Sequence, residues 1–385
     1  MFIKNKDLDI KRSFTIVEER KSLINKTSNK AIPSTYKVNE VAKALHPGFI
    51  KAKVSKIERC TSNSKVITFK SLSKNKRFPY FRSGSYISLT KKINESLISR
   101  PYSIYSSPKE ALKGILKIAV QDAGFFSHEL NHNLKVGNQV IISEPSGDFY
   151  YDSIRDKKHI LAIAGGSGVT PFISMIKAIK EGSEDFKLTL IYGVKTRKDL
   201  MYDFSKIKDS RIKVIVVLSN EKVKGYEYGF ISKDILKKYM PKECSIFMCG
   251  PDVMYGFVKK ELTQLGINEY LIRQEHNCVR DLKMEHPRKF KLTVHMRNKI
   301  YHILALENES ILVAMEKASL CVSSKCRSGR CGFCHTRIIK GNYITNKTAL
   351  RLADIKFNYV HACATFPTSN MEIDIPVQDD LKEIL

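Results

Sequence analysis

The sequence predicts a multidomain chain of three folded parts in series: an antiparallel β-barrel, an α/β domain on a parallel sheet, and a small α+β unit. Three observations predict it. Short alternating strands separated by turns fill residues 49–153. A strand, helix, strand rhythm with near-continuous apolar strands runs through 154–285. From 286 to 385, two alternating strands and a helix lead into a loop dense in cysteine.

Residues 1–48 are polar and basic and read as an extension, with one short helical pattern at Val38–Leu45 stopped by His46-Pro47. The barrel strands are expected at Lys65–Phe69, Ser85–Leu89, Gly114–Val120 and Gln139–Ser143, where apolar residues recur with period two. The parallel sheet is expected from the β-branched runs His159–Ala164, Lys187–Tyr192, Arg211–Leu218 and Ser245–Met248, with crossover helices at Thr170–Lys180 and Asp252–Leu265. Asn277–Arg288 reads as a charged linker. The last part opens with strands Lys289–Met296 and Lys299–Ala305 and a helix Ser310–Ala318.

Composition excludes several classes. A hydrophobic content of 43% is that of globular protein, not of a disordered chain. The N-terminal MFIKNKDLDIKRSF has charges throughout and no apolar signal core, so the expectation is a cytoplasmic protein. The long uncharged run Ile160–Ile176 is broken by Gly165, Gly166, Gly168 and Pro171, so no membrane span is expected. The formal net charge of +27 is spread along the chain and accompanies no nucleic-acid motif. It favours acidic partners rather than nucleic acid.

Nine cysteines are present, and five of them, Cys321, Cys326, Cys331, Cys334 and Cys363, crowd near the C-terminus. In a chain without a secretory signal this clustering points to metal or redox chemistry. Cys326-x4-Cys331-x2-Cys334, with 28 residues between Cys334 and Cys363, is the spacing of a plant-type [2Fe–2S] centre. Four thiolates must surround two irons, and Gly329 and Gly332 let the loop backbone curl about them. Cys321 cannot satisfy both spacings. A structural zinc site also uses four thiolates, but zinc knuckles pair two C-x2-C units and only Cys331/Cys334 has that form. A Rieske centre would need two His–Cys pairs, whereas His361 beside Cys363 gives one at most.

Two further motifs lie upstream. Arg100-Pro101-Tyr102-Ser103 ends an expected barrel strand. It offers a guanidinium fork for a pyrophosphate, a ring to lie on a flavin and a hydroxyl for the flavin's reactive edge. After it come Ile118-Ala119-Val120, then Gly124-Phe125-Phe126-Ser127 opening a helix that can receive phosphate, then Pro145-Ser146-Gly147-Asp148-Phe149. The second motif, Gly165-Gly166-Ser167-Gly168-Val169-Thr170-Pro171, directly follows a strand. Its glycines admit a pyrophosphate, Thr170 is the expected N-cap and Pro171 the first helical position. Tyr192-Gly193 with Arg197 and Asp199, and Cys249-Gly250-Pro251, follow later strands, where parallel sheets bind ligands. Cys60, Cys244, Cys278 and Cys321 read as structural.

These ordered motifs resemble the ferredoxin–NADP reductase superfamily, in its branch with a C-terminal plant-type [2Fe–2S] ferredoxin domain. CRSGRCGFC and HACATFP resemble the ferredoxin cluster loop and its fourth-ligand segment, and the likeness covers about residues 50–380. The resemblance implies a FAD-binding barrel (FMN less so), an NAD(P)-binding domain and a ferredoxin-like β-grasp domain. It implies flavin contacts from Arg100, Pro101, Tyr102, Ser103, Ile118, Val120, Gly124 and Ser127. It implies nucleotide contacts from Gly165, Gly166, Gly168, Thr170, Pro171, Cys249, Gly250 and Pro251. Ser103 and Cys249 would stand at the site of hydride transfer, Cys249 as a pocket former and not a nucleophile. The implied activity is an NAD(P)H-dependent oxidoreductase passing electrons through FAD and [2Fe–2S] to a protein acceptor. The alternative is an electron-transfer subunit of a larger complex without turnover of its own. Asn220 replaces the arginine of NADP-preferring relatives, which favours NADH, while Lys222 and Lys224 nearby leave NADPH open. Lys325, Arg327, Arg330 and Arg337 form an expected basic rim, where such ferredoxins are usually acidic, so the acceptor is expected to be acidic.

Overall fold

A computed structural model describes residues 6–26, 37–38, 40–41, 48–73, 75–275, 278–296, 298–345 and 350–376. The chain divides into two units, Met1–Leu45 and His46–Leu385. In the first, α1 spans Lys6–Lys26, a helix that sequence patterning does not announce because no apolar stripe repeats along it. The expected helix at Val38–Leu45 falls largely outside the described residues. No helix among the described residues is long and apolar enough to cross a membrane.

The second unit opens with β1 (Phe49–Thr61), β2 (Ser64–Ser71), β3 (Tyr86–Ile93) and β4 (Ser96–Ser103), then α2 (Pro108–Leu112), β5 (Ile115–Gln121), α3 (Phe125–His132) and β6 (Gln139–Ser143). All the strand pairings are antiparallel, in the order β4-β3-β6-β1-β2-β5. A bridge between Ile104 and Ile118 closes the two ends into a barrel. Period-two alternation sets the core. Ile50, Ala52 and Val54 point inward from β1, while Lys51 and Lys53 stay outside.

The parallel sheet comprises β7 (His159–Gly165), β8 (Lys187–Val194), β9 (Ile212–Leu218), β10 (Glu227–Tyr228), β11 (Ser245–Cys249) and β12 (Ile272–Gln274), in the order β10-β9-β8-β7-β11-β12. Helices α4 (Thr170–Lys180), α5 (Lys233–Tyr239) and α6 (Asp252–Gln264) accompany it. Core residues lie on both faces, which is why the strands read as unbroken apolar runs. Strand order reverses between β7 and β11, and that reversal opens a crevice at their carboxyl ends. Phe149 from the barrel side packs against Phe172 and Phe247 of this domain. Burial of each such ring contributes roughly 1.5–3 kcal/mol and fixes the barrel against the sheet.

The last domain pairs β14 (Lys299–Leu306), β13 (Lys289–Met296), β19 (Met371–Ile375), β15 (His335–Lys340) and β17 (Tyr359–His361) in that order, with β16 (Tyr343–Thr345) and β18 (Thr365–Pro367) as a side ribbon. Helix α7 (Ile311–Lys317) buries Ile311, Leu312, Ala314 and Met315 against this sheet, and α8 (Leu352–Lys356) lies near β17. Parallel β13–β19 beside antiparallel β13–β14 makes this the α+β sheet expected.

Candidate functional site

The nucleotide end is built where β7 and β11 finish side by side, Ala164 paired with Cys249. Gly165 ends β7, and Gly166–Val169 form a 3-10 turn that runs without a break into α4. Continuity of that turn displaces the expected cap. Val169 is the N-cap, Thr170 is already helical, and its hydroxyl donates to the Ser167 carbonyl at 2.8 Å. Pro171 lies in the first turn and is buried. Gly168 has no substitute: a Cβ there would stand 2.1 Å from the Cys249 carbonyl oxygen. Beyond β11, the Gly250 amide donates to the Tyr255 hydroxyl at 3.1 Å, and that hydroxyl donates to the Glu275 carbonyl at 2.9 Å. Cys249 is 6% exposed, and burial holds its thiol well above the ordinary range, so it stays neutral.

On the flavin side, β4 carries Pro101, Tyr102 and Ser103 to the cleft wall. Tyr102 stacks on Phe126 with ring centroids 6.5 Å apart. Arg100 is turned elsewhere. Its guanidinium donates to the Ser99 carbonyl at 2.8 Å, approaches Glu316 of α7 at 3.4 Å and lies over Phe126. On β5, Ile118 and Val120 are fully buried in the barrel core, while Ala119 and Gln121 line the cleft. Only backbone atoms of Ile118 and Val120 are placed to meet a cofactor, because adjacent strand residues face opposite ways. At the start of α3, Ser127 Oγ accepts from the Ala123 and Gly124 amides at 3.0 Å each and donates to the Gly124 carbonyl. Ser127 therefore shapes this helix start.

The cysteine loop curls through three left-handed residues, Arg327 (φ 52°), Gly329 (φ 74°) and Gly332 (φ 76°). A Cβ on Gly329 would lie 2.8 Å from Ala364 Cβ, next to Cys363. Cys326 Sγ accepts from the Ser328 and Cys331 amides, both at 3.4 Å. The Cys331 thiol, with the Ser328 hydroxyl and the loop backbone, holds the Cys326 thiol far below its ordinary range. The Cys334 and Cys363 thiols are likewise hydrogen-bonded to each other. Two neighbouring thiol pairs, one of them lining the cleft and with amides aimed at its sulfur, suit a two-iron cluster. Cys321 is half-buried and joins neither pair.

All three parts face one cleft of about 1380 Å³. Its wall includes Ser219 and Gly166 from the sheet domain, Tyr102 and Ser103 from the barrel, and Cys326 and Cys331 from the cysteine loop. Three family models match the chain in order: an oxidoreductase FAD-binding domain over 51–151, an oxidoreductase NAD-binding domain over 162–260, and a 2Fe-2S iron-sulfur cluster binding domain over 296–368. NADH oxidoreductase HCR of Escherichia coli K12 is 27% identical over 76% of this chain and 88% of its own length. NADH-cytochrome b5 reductase 1 of Dictyostelium discoideum is 32% identical over 48% of this chain and 68% of its own length. The chain belongs to the ferredoxin–NADP reductase superfamily.

The solved structure of phthalate dioxygenase reductase superposes with a TM-score of 0.64 at 20% identity, over 86% of this chain and 98% of that one. That likeness shows the fold; the three family models and the named relatives make the protein an NAD(P)H-dependent flavin and iron–sulfur oxidoreductase that passes electrons to a partner protein. Several residues of the reductase's cleft carry no sequence signal. Glu275, just past the three-residue β12, is pushed up to about 8 by burial and then by Asp148, with its Oε2 sealed from solvent and unpartnered. Cys278, read as structural, lines the cleft beside the loop, where the Val279 amide donates to the Arg327 carbonyl at 2.8 Å.

The expected basic rim needs correction. Lys325 is 3% exposed, paired with Glu144 at 2.7 Å and seated over the Phe333 ring. Arg327 is 5% exposed and paired with Glu316. Docking of the reductase's barrel on the loop consumes Lys325, and α7 of the loop's own domain consumes Arg327. Arg330, Arg337 and Lys340 remain exposed.

Proposed function

We propose that the reductase brings reduced nicotinamide against Cys249, Gly250 and Pro251, facing a flavin set on Tyr102 and Ser103, with the cluster held by Cys326, Cys331, Cys334 and Cys363. The observation that carries this reading is the single cleft lined from all three domains. The flavin supplies the conversion of a two-electron hydride into single electrons that a one-electron cluster can take. The chain's own residues do the positioning. Gly165, Gly166 and Gly168 leave room for backbone to approach a pyrophosphate at the start of α4. The neutral Cys249 thiol and Tyr255 shape the nicotinamide pocket without giving up a charge. The Ser103 hydroxyl lies in the wall where the flavin edge would meet it. Ser127 and the Gly124 turn present the α3 start to phosphate.

The acceptor is proposed to be an acidic protein, such as an oxygenase component or another redox enzyme. Support comes from exposed Arg330, one residue before Cys331, from exposed Arg337 and Lys340, and from the net charge of +27. NADH is the proposed donor. Ser219 lines the cleft, and Asn220 beside it stands where NADP-preferring relatives carry an arginine.

Anaerobic titration of the purified holoprotein tests the reading. NADH should bleach the flavin band and then bring up the signal of a reduced cluster, at lower concentration than NADPH. Bleaching without cluster reduction would break the proposed order. Acceptor reduction should slow as salt rises and in Arg330→Glu, while flavin reduction changes less, because exposed charges beyond ~8 Å are screened at physiological salt.

A further inference from the structure

Two imidazoles and a carboxylate converge beside the cysteine loop, outside the electron path described above. His335 opens β15 and is the cross-strand partner of His361 at the end of β17. Their rings lie 5.2 Å apart. Asp354 of α8 faces both, with Oδ1 2.9 Å from His335 Nε2 and Oδ2 3.9 Å from His361 Nε2. The three ligand atoms lie within 4.8 Å of one another. Asp354 and His361 side chains are 6% and 4% exposed, and His335 forms the rim at 29%.

The hydrogen-bond accounting is incomplete without something between them. The Gly329 carbonyl can only accept, so His361 Nδ1, 2.5 Å from it, carries the proton. A neutral imidazole then presents a bare lone pair at Nε2, aimed at a carboxylate that also only accepts. His335 Nε2 lies 2.9 Å from Asp354 Oδ1 without forming a hydrogen bond to it. Both Nε2 atoms are buried without a hydrogen-bond partner. An unsatisfied buried nitrogen is costly, and two facing one carboxylate are rare. Ligand atoms ~2.0–2.2 Å from a shared zinc-sized ion stand roughly 3–4 Å apart, close to the 2.9 and 3.9 Å between Asp354 and the two imidazoles. The outer contacts also fit. His361 Nδ1–H donates to a backbone carbonyl, and Asp354 Oδ2 accepts from the Arg351 amide at 2.9 Å, which fix ring and carboxylate as in ligated sites.

We infer that His335, Asp354 and His361 bind a divalent transition-metal ion, separate from the cysteine cluster, with solvent completing its coordination at the His335 rim. The ion ties β15, β17 and α8 to the Gly329 turn of the cysteine loop. This assignment does not depend on the flavin or nucleotide contacts. A second group, Asp122 with His128 and His132, differs: its imidazoles are exposed, and each is within hydrogen-bonding distance of the carboxylate, at 3.1 and 2.9 Å. It needs no ion to be satisfied.

The test is zinc binding by full-length holoprotein carrying His128→Gln and His132→Gln, which removes the exposed group. After equilibrium dialysis against Zn2+, elemental analysis should find one zinc per chain with the iron content unchanged. X-ray absorption at the zinc edge should show nitrogen and oxygen neighbours. Adding His335→Gln, at the rim, or Asp354→Asn should weaken zinc binding at least ~10-fold, while flavin and cluster absorbance certify the fold. No zinc above background in the parent would overturn the assignment. So would sulfur neighbours at the zinc edge, or zinc affinity undiminished in both variants.

Discussion

The carboxylate of Glu316 and the guanidinium of Arg327 meet at 2.6 Å, with side chains only 7% and 6% exposed. Arg100 approaches the same carboxylate from the barrel at 3.4 Å. One acid on α7 thus holds together an arginine of the cysteine loop and the arginine that the sequence offers for the flavin phosphate. Arg100's own pKa is lowered, by burial first and by Arg327 next.

Glu316→Gln leaves two guanidinium groups facing each other without a counter-charge. Breaking a buried pair from one side typically costs ~3–5 kcal/mol. The variant should unfold at a clearly lower temperature, followed through the cluster absorbance. Adding Arg327→Met should recover part of the loss, since the uncompensated charge leaves with it. An unchanged melting temperature in the single variant would mean that Glu316 does not lock these domains.

Arg100 is turned to Glu316 and not into the cleft, so holding the flavin phosphate requires it to swing away from that carboxylate. If it does, Arg100→Ala should weaken flavin binding ~10-fold or more, the scale of one charge-assisted hydrogen bond at ~1.5–3 kcal/mol. Fluorescence on release of flavin measures it directly. Flavin retained with NADH affinity reduced would place Arg100 in the wrong site.

Cys363→Ser should lose iron and acid-labile sulfide while keeping flavin, because the two are proposed to sit in different domains. Cys321→Ser serves as the control and should keep both. Full iron content in Cys363→Ser would refute the four-cysteine assignment.

Cys249→Ala should slow bleaching of the flavin by NADH with little change in nucleotide affinity. A displacement of about 1 Å at a reacting centre can cost ~100-fold, which sets the ceiling. Stopped-flow rates across NADH concentrations separate the two quantities, and an unchanged limiting rate would leave Cys249 as core filler.

The Glu275 carboxyl, raised from 4.5 to about 8 by burial, stays protonated in the folded chain where the unfolded chain is already ionised. Its contribution to stability is complete below the unfolded value and is lost as pH rises through the folded one. Urea unfolding of flavin-depleted protein should show stability falling between about pH 4.5 and 8 relative to Glu275→Gln. Parallel pH profiles for the two proteins would contradict the buried acid.

Much of the fold was legible because periodicity and burial agree. The limits of Lys289–Met296 and Thr170–Lys180 follow from alternation in one and from glycine, proline and a 3.6-residue apolar stripe in the other. The face of β5 was not legible. Ile118 and Val120 alternate with Ala119, so both faces read as apolar, and only the barrel shows which one meets the cleft. The fate of Lys325 and Arg327 was hidden for a different reason. Their partners Glu144 and Glu316 lie far away or on another element, and a basic residue in a loop looks exposed until docking covers it. Glu275 escaped because a three-residue strand leaves no pattern to place it.

Three serines of the barrel donate to backbone of the last domain: Ser96 to the Glu316 carbonyl at 2.6 Å, Ser88 to the Lys325 carbonyl at 2.9 Å and Ser99 to the Ser324 carbonyl at 3.4 Å. Main-chain acceptors do not change with side-chain identity, so this mooring survives drift in the loop's sequence. It argues against delivery by a swinging arm, in which a tethered carrier leaves its loading dock to find a customer. With these bonds in place the cluster stays berthed, and the acceptor must make the journey. An acceptor approaching the loop from the side of these bonds would meet the barrel as well as the last domain.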